Sequence, residues 1–157
     1  MPNFFTDNKD ILFQFDRLDL KEVVDFYEDN YKQSEKFNYA PINYEDAKEN
    51  FRRILEITGD ITANFIAPRS AGIDDEGAVF KDGKVFYAKG TRESLDLLSK
   101  AELMGMILPR EYGGLNFPTT IYMIAVEMIS RADASLMNIF GLQDIGRTIA
   151  EFGTLEQ

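Results

Sequence analysis

Pro118-Thr119-Thr120-Ile121-Tyr122-Met123-Ile124-Ala125-Val126-Glu127-Met128-Ile129-Ser130-Arg131-Ala132 is the stretch from which the fold is read. A proline at its head, with φ fixed near the helical value, suits a first helical position. Projected at about 100° per residue, Ile121, Ala125, Met128 and Ala132 form one apolar strip. Thr119, Tyr122 and Val126, with Met123 at the margin, form a second strip beside it. Glu127 and Arg131 share the solvent edge at i,i+4, a pair worth tenths of a kcal/mol. The spacing therefore predicts a helix over 119–132 with two surfaces to pack against. One is its own bundle, and the other is left for a further partner.

Reading outward, Asp133 separates this helix from a second one expected over about 135–150. Thr154-Leu155-Glu156-Gln157 has a capping-box pattern, with Thr at N-cap and Gln at N3. A helix start that stops after its first turn predicts a domain truncated at its C-terminal end. Upstream, Gly113-Gly114 reads as a tight turn that needs positive φ. It is not a phosphate loop, because no Gly-x-x-x-x-Gly-Lys-Ser/Thr occurs. Before it, Thr91 is expected to cap a helix from Glu93 to about Met104. Val79 to Phe86 changes period and places Asp82-Gly83 between two β-prone runs, which predicts a small hairpin.

A long helix is expected from Tyr44, with Asn43 as N-cap. Phe51, Ile54, Leu55, Ile57, Ile61 and Phe65 keep its spacing until Ala67-Pro68 closes it, and Gly59 inside it lowers propensity. Asn38 to Pro41 reads as a linker. Leu20 to about Glu35 reads as an amphipathic helix through Val23, Val24, Phe26, Tyr27 and Tyr31. Phe4 to Leu18, with Phe4, Phe5, Phe13 and Phe15, reads as an aromatic arm that packs onto something.

The 157 residues carry a formal net charge of −10, with 45% hydrophobic and 28% charged residues and no Cys or His. That is enough apolar matter for a core without disulfides or a metal. An acidic surface repels phosphate backbones, so nucleic acid is excluded as an expected partner. Thiolate nucleophiles, Ser-His-Asp triads, zinc sites and imidazole bases are impossible within the chain. No apolar run approaches the ~20 residues of a membrane span. Met1-Pro2-Asn3-Phe4-Phe5 lacks the basic start of a secretory signal, so a cytoplasmic location is expected. Asp74-Asp75-Glu76 lacks the alternating ligands of a calcium loop and reads as a solvated acidic loop.

Three motifs together resemble a known family. Ala101-Glu102-Leu103-Met104-Gly105-Met106-Ile107-Leu108-Pro109-Arg110-Glu111-Tyr112-Gly113-Gly114-Leu115 resembles the acyl-CoA dehydrogenase segment in which a helix ends in Met-Gly before Pro-x-Glu-Tyr-Gly-Gly-Leu. Ala132-Asp133-Ala134-Ser135 resembles that family's Ala-Asp-Ala-Ser turn. Phe152-Gly153-Thr154 with Glu156-Gln157 resembles its Gly-Thr-x-Glu-Gln helix start. The resemblance implies an all-α fold, the N-terminal helical bundle of the acyl-CoA dehydrogenase type with a small β-hairpin insertion. Residues 1–40 then form an N-terminal extension, and 41–157 the helical domain proper.

It further implies a FAD-dependent α,β-dehydrogenation of acyl-CoA thioesters by the full-length protein. The catalytic glutamate and the flavin contacts belong to later domains, so no catalytic, cofactor-binding or metal residue, and no FAD, is expected in this chain, which is expected to be inactive alone. The positions matching the acyl-chain wall are Thr119, Tyr122, Met123 and Val126. The remainder of the polypeptide, an acyl-CoA, an electron-transfer flavoprotein-type acceptor and further copies of the chain are the implied partners. Without the motifs, the residues favour a free-standing acidic helical adaptor that binds proteins.

Overall fold

The computed structural model describes residues 1–154 and Glu156. Its helices are α1 (Lys9–Arg17), α2 (Lys21–Tyr27), α3 (Tyr44–Ile61) and α4 (Ser70–Glu76). A hairpin of β1 (Val79–Lys81) and β2 (Lys84–Phe86) follows, and then α5 (Lys89–Lys100), α6 (Thr119–Ala132), α7 (Ala134–Phe140) and α8 (Gln143–Phe152). The all-α expectation with one small hairpin is met.

Helix α6 lies at the centre, against α3, α7 and the turn that follows α3. Ile121, Ala125, Met128 and Ile129 of α6 are fully buried with Leu55, Ile66, Leu98, Leu103, Met106, Leu136 and Phe140. Each large apolar side chain buried this way contributes about 1.5–3 kcal/mol. Phe5, Ile11, Phe15 and Val24 from the first forty residues join the same core.

Several local expectations hold. The Asn43 side chain accepts from the Asp46 backbone N–H at 2.9 Å and starts α3. The hairpin pairs Val79 with Phe86 and Phe80 with Val85. Asp82 and Gly83 both take positive φ, 51° and 75°, as a two-residue turn requires. Helix α3 runs unbroken through Gly59, where the N-terminal segment crosses it closely. A Cβ on Gly59 would lie 2.2 Å from Asn3 Oδ1 and 2.7 Å from the Phe5 nitrogen.

Others are corrected. The expected aromatic arm, Phe4 to Leu18, does pack onto the core through Phe5 and Phe15, and its second half forms a helix that the spacing does not announce, α1. Asn8 Oδ1 accepts from the Asp10 and Ile11 N–H groups, and Ile11 and Phe15, one turn apart, are buried. The helix expected over Leu20–Glu35 stops at Tyr27, and Asp29, Asn30 and Tyr31 all take positive φ. That reversal points Glu28 inward, where Arg110 meets it, and puts the Tyr31 hydroxyl 2.6 Å from Asp25. Ala67-Pro68 does not close the helical path. A widened i→i+5 turn over Thr62–Ile66 makes room for the proline ring and its missing N–H, and the path continues into α4.

Helix α5 starts at Lys89 with Ala88 at its N-cap, so Thr91 is a buried first-turn residue rather than the cap. It ends at Lys100, and Glu102 takes positive φ. Pro118 occupies the N-cap position, one residue before the expected N1. The helix expected over 135–150 is two helices broken at Gly141-Leu142. The break turns the first residue of α8, Gln143, inward, where its Oε1 accepts from Met106 N–H at 3.1 Å. The capping-box reading at Thr154-Leu155-Glu156-Gln157 falls partly outside the described residues. No helix of the described residues is long and apolar enough to cross a membrane.

Candidate functional site

The second strip of α6 divides when its residues are placed. Tyr122 is 3% exposed. Its ring stacks on Phe140 at 5.7 Å between centroids, and its hydroxyl donates to the Phe140 carbonyl at 2.9 Å. Burial, with the charge of Asp144 as the smaller cause, pushes the phenol up to about 12. Met123 is 53% exposed, Thr119 is exposed and Val126 is half-buried. The four matching positions are therefore not one surface. Met123 and Val126 face outward, Thr119 lies at the open N-terminal end of α6, and Tyr122 stands behind them.

Met123 and Val126 line a cleft of about 750 Å³. Helix α6 supplies one side, joined by Ile124 and, from α7, Met137. The other side comes from α1 and the residue after it, through Phe13, Arg17 and Leu18. Glu127 is on the rim. The Glu127–Arg131 pair expected from spacing is not formed: the Arg131 guanidinium sits 4.1 Å over the Phe4 ring instead. An aromatic face delivered by the N-terminal turn thus replaces a solvent-exposed ion pair. Reading the sequence did not connect Phe13, Arg17 or Leu18 with this cleft. The only signal was the density of aromatics before Leu18.

The motif residues explain the frame around α6. Asp133 Oδ1 accepts from Ser135 N–H, Leu136 N–H and the Ser135 hydroxyl at 2.6–3.0 Å, which caps α7. Gly113 takes φ of 79°. Gly114 is needed for close approach instead: a Cβ there would lie 2.1 Å from the Leu108 carbonyl oxygen. Asn116 and Phe117 N–H groups then bond to the Leu108 and Met106 carbonyls at 2.9 and 2.8 Å. The Gly-Gly turn closes on the chain's own backbone. It offers no open cradle for a dinucleotide phosphate.

Arg110, from the same motif, is buried in an ion pair with Glu28. A second cleft of about 610 Å³ opens beside it between α3 and the Gly-Gly turn, walled by Tyr39, Phe51, Leu115 and Phe117. Among the described residues, no cluster of His, Cys, Asp or Glu has a metal-binding arrangement.

Residues 48–157 match the family described as acyl-CoA dehydrogenase, N-terminal domain. The chain is also similar to 3-methylmercaptopropionyl-CoA dehydrogenase of Ruegeria pomeroyi (strain ATCC 700808 / DSM 15171 / DSS-3), with 32% identity over 104 residues. That stretch is 66% of this chain and 16% of the relative, so the chain spans a small part of the protein it matches. The helix carrying the outward-facing Met123 and Val126, the Gly-Gly turn and the Asp133 cap all fall inside the matched region, and the chain belongs to the acyl-CoA dehydrogenase family through its N-terminal helical domain.

Proposed function

We propose that this chain acts as the N-terminal domain of a FAD-dependent acyl-CoA dehydrogenase and provides one wall of the acyl-chain pocket. The observation that carries this reading is the cleft beside α6. Met123 and Val126, two positions matching the family's acyl wall, open onto it, and its apolar lining suits a thioester's tail. Thr119 borders the wall at the start of α6. Tyr122 supports it from behind, held rigid by Phe140. Residues 1–40 are an extension added to the domain of residues 41–157. The proton abstraction and the flavin belong to other parts of the polypeptide, which with the acyl-CoA and an electron-transfer flavoprotein-type acceptor are this domain's partners. The chain alone has neither activity nor flavin.

What this chain's residues contribute is binding, orientation and exclusion of water around the acyl tail. In the complete enzyme, Val126→Phe and Met123→Ala should change the order of kcat/KM among acyl-CoAs and leave flavin content intact. One methylene in an apolar pocket changes selectivity by about ten- to two-hundred-fold. A uniform loss across all acyl-CoAs that tracks lost stability would show these side chains to be core, not wall.

A further inference from the structure

We propose that α1, in the N-terminal extension, is the opposing wall of the same acyl pocket, and that Phe13 sets the length of tail it accepts. The inference rests on the acyl-wall reading of Met123 and Val126. Those two side chains and Phe13 line one cleft from opposite sides, so a tail lying against α6 meets Phe13 across the gap.

Phe13 is set apart from the other large residues of its helix. Ile11 and Phe15 are buried in the core, whereas Phe13 is 59% exposed and turned to the cleft. Its ring is held by the Arg17 guanidinium, stacked 4.4 Å above it one turn on. Met123 and Met137 line the same cleft, and their adaptable thioethers pack well on an aromatic and on an acyl tail. The wall is also anchored firmly enough to discriminate. Asn8 caps α1, Phe15 meets Phe5 edge-on at 5.5 Å, and Arg52 of α3 pairs with Asp16 while lying 5.0 Å over Phe15.

The cleft's dimensions and charge favour a tail over a macromolecule. Its volume of about 750 Å³ falls in the ordinary range for small-molecule sites, roughly 300–1,000 Å³. A stable protein partner would need about 800 Å² of surface on this side alone. The rim carries one cation, Arg17, and one anion, Glu127, so it has no net charge to recruit an oppositely charged surface.

The test uses the complete flavoenzyme with Phe13→Ala, Phe13→Leu and Phe13→Trp, and kcat/KM for butyryl-, octanoyl- and dodecanoyl-CoA. Phe13→Ala should raise the dodecanoyl-to-butyryl ratio about tenfold or more, Phe13→Trp should lower it, and Phe13→Leu should fall between. Unfolding midpoints should stay at the wild-type value, because the ring lies outside the core. An acyl-CoA with a photoreactive group at the tail's end should label the peptide spanning residues 9–17. Ratios unchanged by all three variants, or labelling confined to other peptides, overturn the inference. If Met123 and Val126 variants move the ratio and Phe13 variants do not, this inference falls alone. If the wild-type enzyme oxidises no acyl-CoA, the acyl-wall reading falls and takes this inference with it.

Discussion

Arg110 holds Glu28 with both arms of its guanidinium, Nη1 donating to Oε2 at 2.6 Å and Nη2 to Oε1 at 2.9 Å, across 82 residues of sequence. Both side chains are at most 5% exposed. The Arg110 Nη2 also donates to the Leu115 carbonyl, and Asn116 donates to the Tyr27 carbonyl beside it. The Gly-Gly turn and the end of α2 are thus locked together at one buried point.

Breaking that point should be costly. Glu28→Ala leaves a buried guanidinium with no counter-charge, a situation that destabilises by about 3–5 kcal/mol. Glu28→Leu combined with Arg110→Met removes both charges and should cost much less. Urea unfolding of the two variants decides it. Equal losses would mean that the pair's charges are already compensated from elsewhere.

Glycine positions give a paired expectation. Gly59→Ala places a methyl where Asn3 and the Phe5 backbone sit, so the crossing segment must move despite the gain in helix propensity. Hydrogen exchange at Phe4, whose N–H donates to the Gly59 carbonyl at 3.1 Å, should accelerate. Gly72→Ala in α4 meets nothing within 4 Å. It should stabilise by about 0.5–1 kcal/mol. A destabilised Gly72→Ala, or unchanged exchange at Phe4 in Gly59→Ala, would contradict the packing described.

What was legible in the sequence follows from how local each signal is. The Asn43 cap, the Asp82-Gly83 turn and the apolar strip of Ile121, Ala125, Met128 and Ala132 depend on neighbours within a few residues, and all three are found. The failures needed distant partners. Nothing near Glu28 announces Arg110, so local spacing predicts a helix that continues through the reversal at Asp29–Tyr31. Local spacing pairs Arg131 with its neighbour Glu127, because Phe4 is remote in sequence. Tyr122 lies on the second strip of α6, but Phe140 covers it from α7, and helical projection does not show that. The α1 wall of the cleft was hidden for the same reason.

Tyr122 predicts a pH response. Its folded value is raised to about 12 by burial, above the unfolded value of 10.0. A neutral phenol in the folded state then contributes stability that is intact below pH 10 and declines as pH rises toward 12. Between those limits the unfolded chain has released a proton that the folded chain keeps, so stability falls by about 1.4 kcal/mol per pH unit for this group. Tyr31, raised by burial and by its hydrogen bond to Asp25, acts in the same direction. Tyr122→Phe should remove one group's share of the alkaline slope. It should also cost about 1 kcal/mol at neutral pH through the hydrogen bond lost to Phe140. An alkaline slope unaltered by the substitution would show that Tyr122 titrates normally.

The last prediction concerns the surface that α8 leaves open. Leu142, Ile145, Ile149 and Phe152 follow one another at three-, four- and three-residue steps along one side of it, each at least 44% exposed. Scattered apolar residues on a surface are ordinary, but a contiguous patch of several hundred Å² marks a contact site. Spacing alone places such a contact on the helices of residues 119–150, through the strip with Tyr122 and Val126 and through Met137, Phe140 and Ile145. Burial takes Tyr122 and Phe140 out of that surface and leaves Ile145, on α8, exposed within it. The net charge of −10 opposes close approach of two copies, yet charges are screened beyond about 8 Å at physiological salt. The isolated chain should therefore self-associate through α8, and more strongly as salt rises. Ile145→Glu with Ile149→Glu should return it to monomer without changing its unfolding midpoint, because neither side chain is in the core. Light scattering across concentration and salt provides the measurement. A wild-type chain that stays monomeric at high concentration and high salt would refute self-association through this face.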